Sequence, residues 1–116
     1  ENIMSNFHHE LISHNQFINK LLLTKTISPQ NNFKITALDN HSIFYRVTNN
    51  KQKTINFGTI TNDNPLKLDL NNDFSIDLSN IKYIDKIFAK NSIYQVDVDK
   101  PYAIKELSLN KFLDPQ

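Results

Sequence analysis

At 116 residues, with 39% hydrophobic and 22% charged residues, the chain has the size and balance of one folded domain with a modest core. Lys+Arg 13 against Asp+Glu 12 leaves a net charge of +1, which offers no field for nucleic acid or an acidic substrate. Gly58 is the only glycine and cysteine is absent, which excludes Gly-rich phosphate loops, disulfides, thiolate metal sites and a Cys nucleophile.

The first quarter reads as a helix over about 3–24. Ile3, Phe7, Leu11, Ile18 and Leu22 draw a stripe along one side at 3.6-residue spacing, and Asn6, His9, Ser13, Gln16 and Lys20 make the solvated side. Asn2 or Ser5 could cap its start, and Pro29 with its polar neighbours stops it.

After Pro29 the period changes to two. Phe33, Ile35 and Ala37 alternate with Lys34 and Thr36, Asp39-Asn40-His41 turns, and Ile43, Tyr45 and Val47 return on one face of a second strand. Asn49-Asn50 makes a hairpin turn to a third strand, 53–60, with Ile55 and Phe57 on one side, so a three-stranded meander is expected. Leu66, Leu68 and Leu70 alternate next, then Phe74, Ile76 and Leu78, with Asn71-Asn72-Asp73 as the hairpin turn. Residues 81–88 suit a strand better than a helix, because Lys90-Asn91-Ser92 turns and Ile93 to Val98 alternates after it. The segment 101–116 is open between short helix and final strand.

The expected fold is therefore α+β: one N-terminal amphipathic helix packed on an antiparallel sheet of short strands, β-rich over about 32–100, in a single domain. In that arrangement Leu11→Asp is expected to unfold the protein.

No catalytic set assembles. His8-His9-Glu10 followed by His14 invites a zinc reading, but His9 and His14 are five apart, about 140° around a helix, where a shared ion needs four. Asp69, Asn71 and Asp73 open like a calcium loop, since oxygen ligands at alternate turn positions can converge on a hard cation. Phe74 then stands where such a loop has glycine and Asn80 where it has glutamate, so a plain turn is preferred and calcium is the only cofactor the spacing admits. Asp97 and Asp99 would share one face of a strand, about 7 Å apart, most simply as its solvent side. His41 beside Ser42 has no acid partner. Phe44, Tyr45, Arg46 and Tyr94 could form an aromatic-basic surface, but one arginine in a neutral chain argues for packing instead. No cofactor, metal or enzymatic role is expected.

Lysine outnumbers arginine twelve to one, and Asn and Ile are frequent, a bias that reads as an AT-rich, bacterium-like source. The chain starts at Glu1 without methionine, so an upstream signal, tag or anchor is expected.

An amphipathic helix leading into an antiparallel sheet resembles the soluble part of type IV minor pilins and type II secretion pseudopilins. Within 1–100, the stretch 32–58 with Ser42-Ile-Phe-Tyr-Arg-Val47 looks like the central meander of competence-pilus minor pilins. Leu78-Ser-Asn-Ile-Lys-Tyr83 and Ile93-Tyr-Gln-Val-Asp-Val98 look like their closing strands. The pilin cleavage site and apolar half-helix would lie upstream of Glu1. The resemblance implies a structural subunit of a pilus or secretion pseudopilus, extracytoplasmic and membrane-anchored through that upstream segment, with other protein subunits as partners and no nucleic acid. The alternative is a small bacterial surface lipoprotein or secretion-machinery accessory whose sheet edge binds a partner strand. A cytosolic adaptor or phage-type protein comes third and a small enzyme last.

Overall fold

The computed structural model describes residues 8–30, 32–69 and 73–109. It is mostly β, which corrects the α+β expectation: two five-stranded sheets enclose one core, and the only α-helix among the described residues is six residues long. The strands are β1 (Glu10–Leu11), β2 (Leu21–Thr26), β3 (Asn32–Ala37), β4 (Ile43–Thr48), β5 (Thr54–Ile60), β6 (Leu66–Asp69), β7 (Ser75–Leu78), β8 (Ile84–Ala89), β9 (Ser92–Val96) and β10 (Tyr102–Ser108). The first sheet runs β1-β10-β7-β4-β5 and the second β2-β9-β8-β3-β6. Every pairing is antiparallel except the short β1–β10 contact.

Short arches set this topology. The connections 38–42, 61–65, 79–83 and 97–101, five residues each, take the chain from a strand of one sheet to the strand at the same place in the other. Five residues are too few to wander, so these pairs of strands stack across the core. Inward-facing residues of both sheets fill it: Phe33, Ile35 and Ala37 from β3, Ile84 and Ile87 from β8, Ile43 and Val47 from β4, Ile76 and Leu78 from β7. The alternation read from the sequence thus marks the buried faces of β3, β4 and β7.

Two connections read as hairpin turns join strands of different sheets. Residues 38–42 carry the chain from β3 in the second sheet to β4 in the first, so the expected meander reduces to the β4–β5 hairpin. β6 and β7 likewise lie in different sheets, so the hairpin expected between them does not form; residues 70–72 lie outside the described residues. Alternation along a strand is the same whether the next strand lies beside it or across the core, which is why turn residues alone misplaced both. Residues 81–83 form a 3-10 turn capped by the Asn80 side chain, before β8. Of the segment left open, Tyr102–Ser108 is strand β10, and 110–116 lies outside the described residues.

The expected helix over 3–24 gives way to β1, α1 (His14–Asn19) and β2. Ser13 caps α1 in a capping box with Gln16, each side chain holding the other's backbone N–H. From Leu21 onward the backbone pairs with β9, Leu21 against Val96 and Leu22 against Gln95, which satisfies it without a helix. The stripe is not a packed face. Leu11 and Leu22 are half exposed, Ile18 is partly buried, and Ile3 and Phe7 lie outside the described residues. Ile12 and Phe17 are buried in their place.

Candidate functional site

Among the described residues, the one buried charge lies on the outer face of the first sheet. Asp77, on the central strand β7, is 2% exposed, and burying a carboxylate there demands a partner. Arg46 stands directly opposite on β4 and supplies it: Nε and Nη2 donate to Asp77 Oδ2 at 3.0 and 2.8 Å. Asp77 Oδ1 accepts from the backbone N–H of Glu106 at 2.7 Å. Glu106 has φ 58 and sits where β10 carries one residue more than β7, between Ile104 and Leu107. One carboxylate therefore joins β4 to the β10 bulge across β7. Beside it opens a concavity of about 330 Å3 lined by Arg46, Asn50, Gln52, Asp73 and Ser75 among others.

Next to Arg46 on the same face lies Phe57 of β5, its cross-strand partner, 55% exposed. β5 is the edge of the sheet, and its segment 54–57 is exposed throughout. The direction of its backbone groups follows from β4. Phe44 donates its N–H to Ser79 Oγ at 2.9 Å and accepts the Ser79 N–H at 3.0 Å, so Phe44 and Arg46 face β7 while Tyr45 and Val47 face β5. Gly58 and Asn56, opposite Tyr45 and Val47, then face β4, and Phe57 and Thr59 turn their N–H and C=O groups out of the sheet. Asn64 Nδ2 donates to Thr59 O at 3.2 Å, as that direction requires. Ile55, 45% exposed, is the extra residue of a bulge between the Val47–Asn56 and Thr48–Thr54 pairs.

Tyr45, on the inner face, covers Gly58: a Cβ there would meet Tyr45 Oη at 3.2 Å. Beyond Thr54 the turn carries Lys51 and Lys53, whose N–H groups both donate to Asn49 Oδ1. At the other end of β5 the tight 61–64 turn carries Asp63. The two ion pairs found among the described residues, Arg46–Asp77 and Lys100–Glu10, leave these three charges out.

The residues singled out from the sequence are not brought together. Glu10 pairs with Lys100 at 3.1 Å, and His14 donates Nε2–H to the Lys105 carbonyl at 3.1 Å, since a carbonyl can only accept. The rings of His8 and His9 lie 4.9 Å apart. Asp69 ends β6 in the second sheet, Asp73 precedes β7 in the first, and Asn71 lies outside the described residues. Asp97 and Asp99 follow β9 in the arch to β10 rather than sharing a strand face, and the Asp97 N–H is held by the Lys20 carbonyl at 2.8 Å. His41 stacks on Tyr83 with ring centroids 4.0 Å apart. Of the aromatic-basic group, Phe44 and Arg46 lie on the outer face of the first sheet, Tyr45 on its inner face, and Tyr94 on the other sheet. Among the described residues no group of three or more His, Asp or Glu is placed to hold a metal ion, and no helix is long and apolar enough to cross a membrane.

Fold and site together define a mostly β, two-sheet domain with an apolar edge strand. The chain matches no protein-family model, no curated protein and no solved structure.

Proposed function

We propose that this chain is a non-enzymatic binding and assembly domain that adds an extended segment of a protein partner to the edge of β5. The observation that carries this reading is the outward row of backbone groups at Phe57 and Thr59, flanked by the exposed side chains of Ile55 and Phe57. A partner strand satisfies the Phe57 groups and the Thr59 N–H through main-chain hydrogen bonds, the Thr59 carbonyl being already held by Asn64 Nδ2, and the two apolar side chains supply burial. The strand itself carries no charge and no proline, the usual means of keeping an edge unpaired. The setting proposed is a surface or secretion assembly of a bacterium. The leading helix of the pilin-like layout forms no part of this reading.

Photo-cross-linking in the source cells tests it. A photoreactive phenylalanine at position 57 should give a discrete protein adduct, and one at Lys86 on the second sheet should not. Thr59→Pro removes an outward N–H while sparing the bonds to β4, so it should abolish the adduct at an unchanged melting temperature. An adduct that survives Thr59→Pro, or equal adducts at both positions, would overturn strand addition at β5.

A further inference from the structure

Resting on that reading, we infer that the strand added to β5 is β5 of a second copy, paired antiparallel about a two-fold axis at Phe57. Phe57 is the first residue of β5 clear of the Ile55 bulge that turns its N–H and C=O outward. A two-fold axis there makes Phe57 and its symmetry mate a hydrogen-bonded pair, each donating to and accepting from the other. The two phenyl rings, now 55% exposed, become cross-strand neighbours on one face, the placement in which aromatic side chains cover each other. The next outward pair sets Ile55 against Thr59 of the second copy.

Charge selects this orientation. A two-fold axis brings the 51–53 turn of one copy beside the 61–64 turn of the other. Lys51 and Lys53 then face Asp63, three of the charges that lie outside the ion pairs found among the described residues. A parallel arrangement would instead put lysine beside lysine. Because a two-fold contact is its own complement, each interface gains the lysine–aspartate meeting twice. Two five-stranded sheets thereby become one continuous sheet of ten across the dimer.

Sedimentation of the full chain over a wide concentration range tests the inference. The expected result is a monomer–dimer equilibrium that Phe57→Lys shifts to monomer without lowering the melting temperature. Reversing charge at one end, Lys51→Asp with Lys53→Asp, should weaken the dimer on the order of tenfold or more, as should Asp63→Lys. Combining them should restore it, because the facing signs are again opposite. A monomer at every concentration, or a combined variant as weak as its parents, overturns self-pairing. The cross-link at position 57 then shows whether another protein's strand occupies the edge. A dimer indifferent to Phe57→Lys overturns self-pairing at β5, and the reading on which it rests then stands or falls with the cross-link at position 57.

Discussion

Arg46 is the only arginine in the chain and Asp77 the only buried charge among the described residues, and the two stand opposite each other in the register of β4 and β7 with both guanidinium contacts on one carboxylate oxygen. A guanidinium presents its donors in a fixed fork that suits a carboxylate better than the ammonium of lysine, used everywhere else in this chain. Asp77→Ala strands Arg46 and deprives the Glu106 N–H of its acceptor, so it should cost about 3–5 kcal/mol in urea denaturation. Arg46→Met leaves a buried carboxylate uncompensated and should cost a similar amount. The double variant Arg46→Met/Asp77→Leu should cost less than either single change, since no charge is then left unpaired. Additive losses would show that the pair is not a coupled unit.

Gly58 depends on Tyr45 in a comparable way. Its φ is not in the left-handed region, so backbone conformation alone does not require glycine. What meets an added Cβ is the far end of the Tyr45 ring, Oη at 3.2 Å and two ring carbons at 3.4 Å. Tyr45 is only half-buried near the sheet edge, so its ring can give by a few tenths of an ångström. Gly58→Ala should therefore stay within about 1 kcal/mol of the wild type, the crowding offset by lower entropy of the unfolded chain. In a Tyr45→Phe background the closest contact is gone, and the same substitution should become more favourable. A cycle of the four proteins checks the coupling, and strict additivity would count against the contact.

The N-terminal region gives a prediction opposite in sign to the one its periodicity suggested. Leu11 lies on the short β1 and is 54% exposed, so Leu11→Asp should leave the melting temperature nearly unchanged. Phe17 on α1 is fully buried in the common core, and Phe17→Ala should cost about 3–5 kcal/mol. Thermal melts of the two variants decide between the packed stripe and the observed arrangement.

Strand faces were legible because burial of one face imposes alternation on the sequence itself, as at Phe33, Ile35 and Ala37. The helix was misread because Leu11, Ile18 and Leu22 match a helical period while lying on three elements, β1, α1 and β2. Ser13 followed by Gln16 is the local signal that competes with that period, a capping box that starts α1 at His14. Choosing between hairpin and arch needs to know which sheet receives the next strand, and that depends on long-range packing. The Arg46–Asp77 pair was illegible for the same reason: 31 residues separate them, and only the β4–β7 register brings them together. Ile55 and Phe57 were rightly placed on β5 by alternation, but nothing local indicated that β5 is an edge.

The ion pair at the opposite end of the first sheet sets a pH dependence. The Glu10 carboxylate, hydrogen-bonded to the Lys100 ammonium at 3.1 Å, raises the Lys100 pKa above the ordinary 10.5, with a smaller push from Tyr102. A lysine pKa higher in the folded state than in the unfolded one favours folding while the ammonium keeps its proton. That contribution is complete below the unfolded value of 10.5 and is lost as the pH climbs through the raised folded value. Both side chains are more than half exposed, so the effect is small and salt-sensitive. The melting-temperature difference between wild type and Glu10→Gln should thus be small, steady from neutral pH to about 10, and should vanish in stronger alkali. It should also shrink when salt is added at neutral pH. A difference that widens with alkali would mean that Glu10 does not hold the charged form of Lys100.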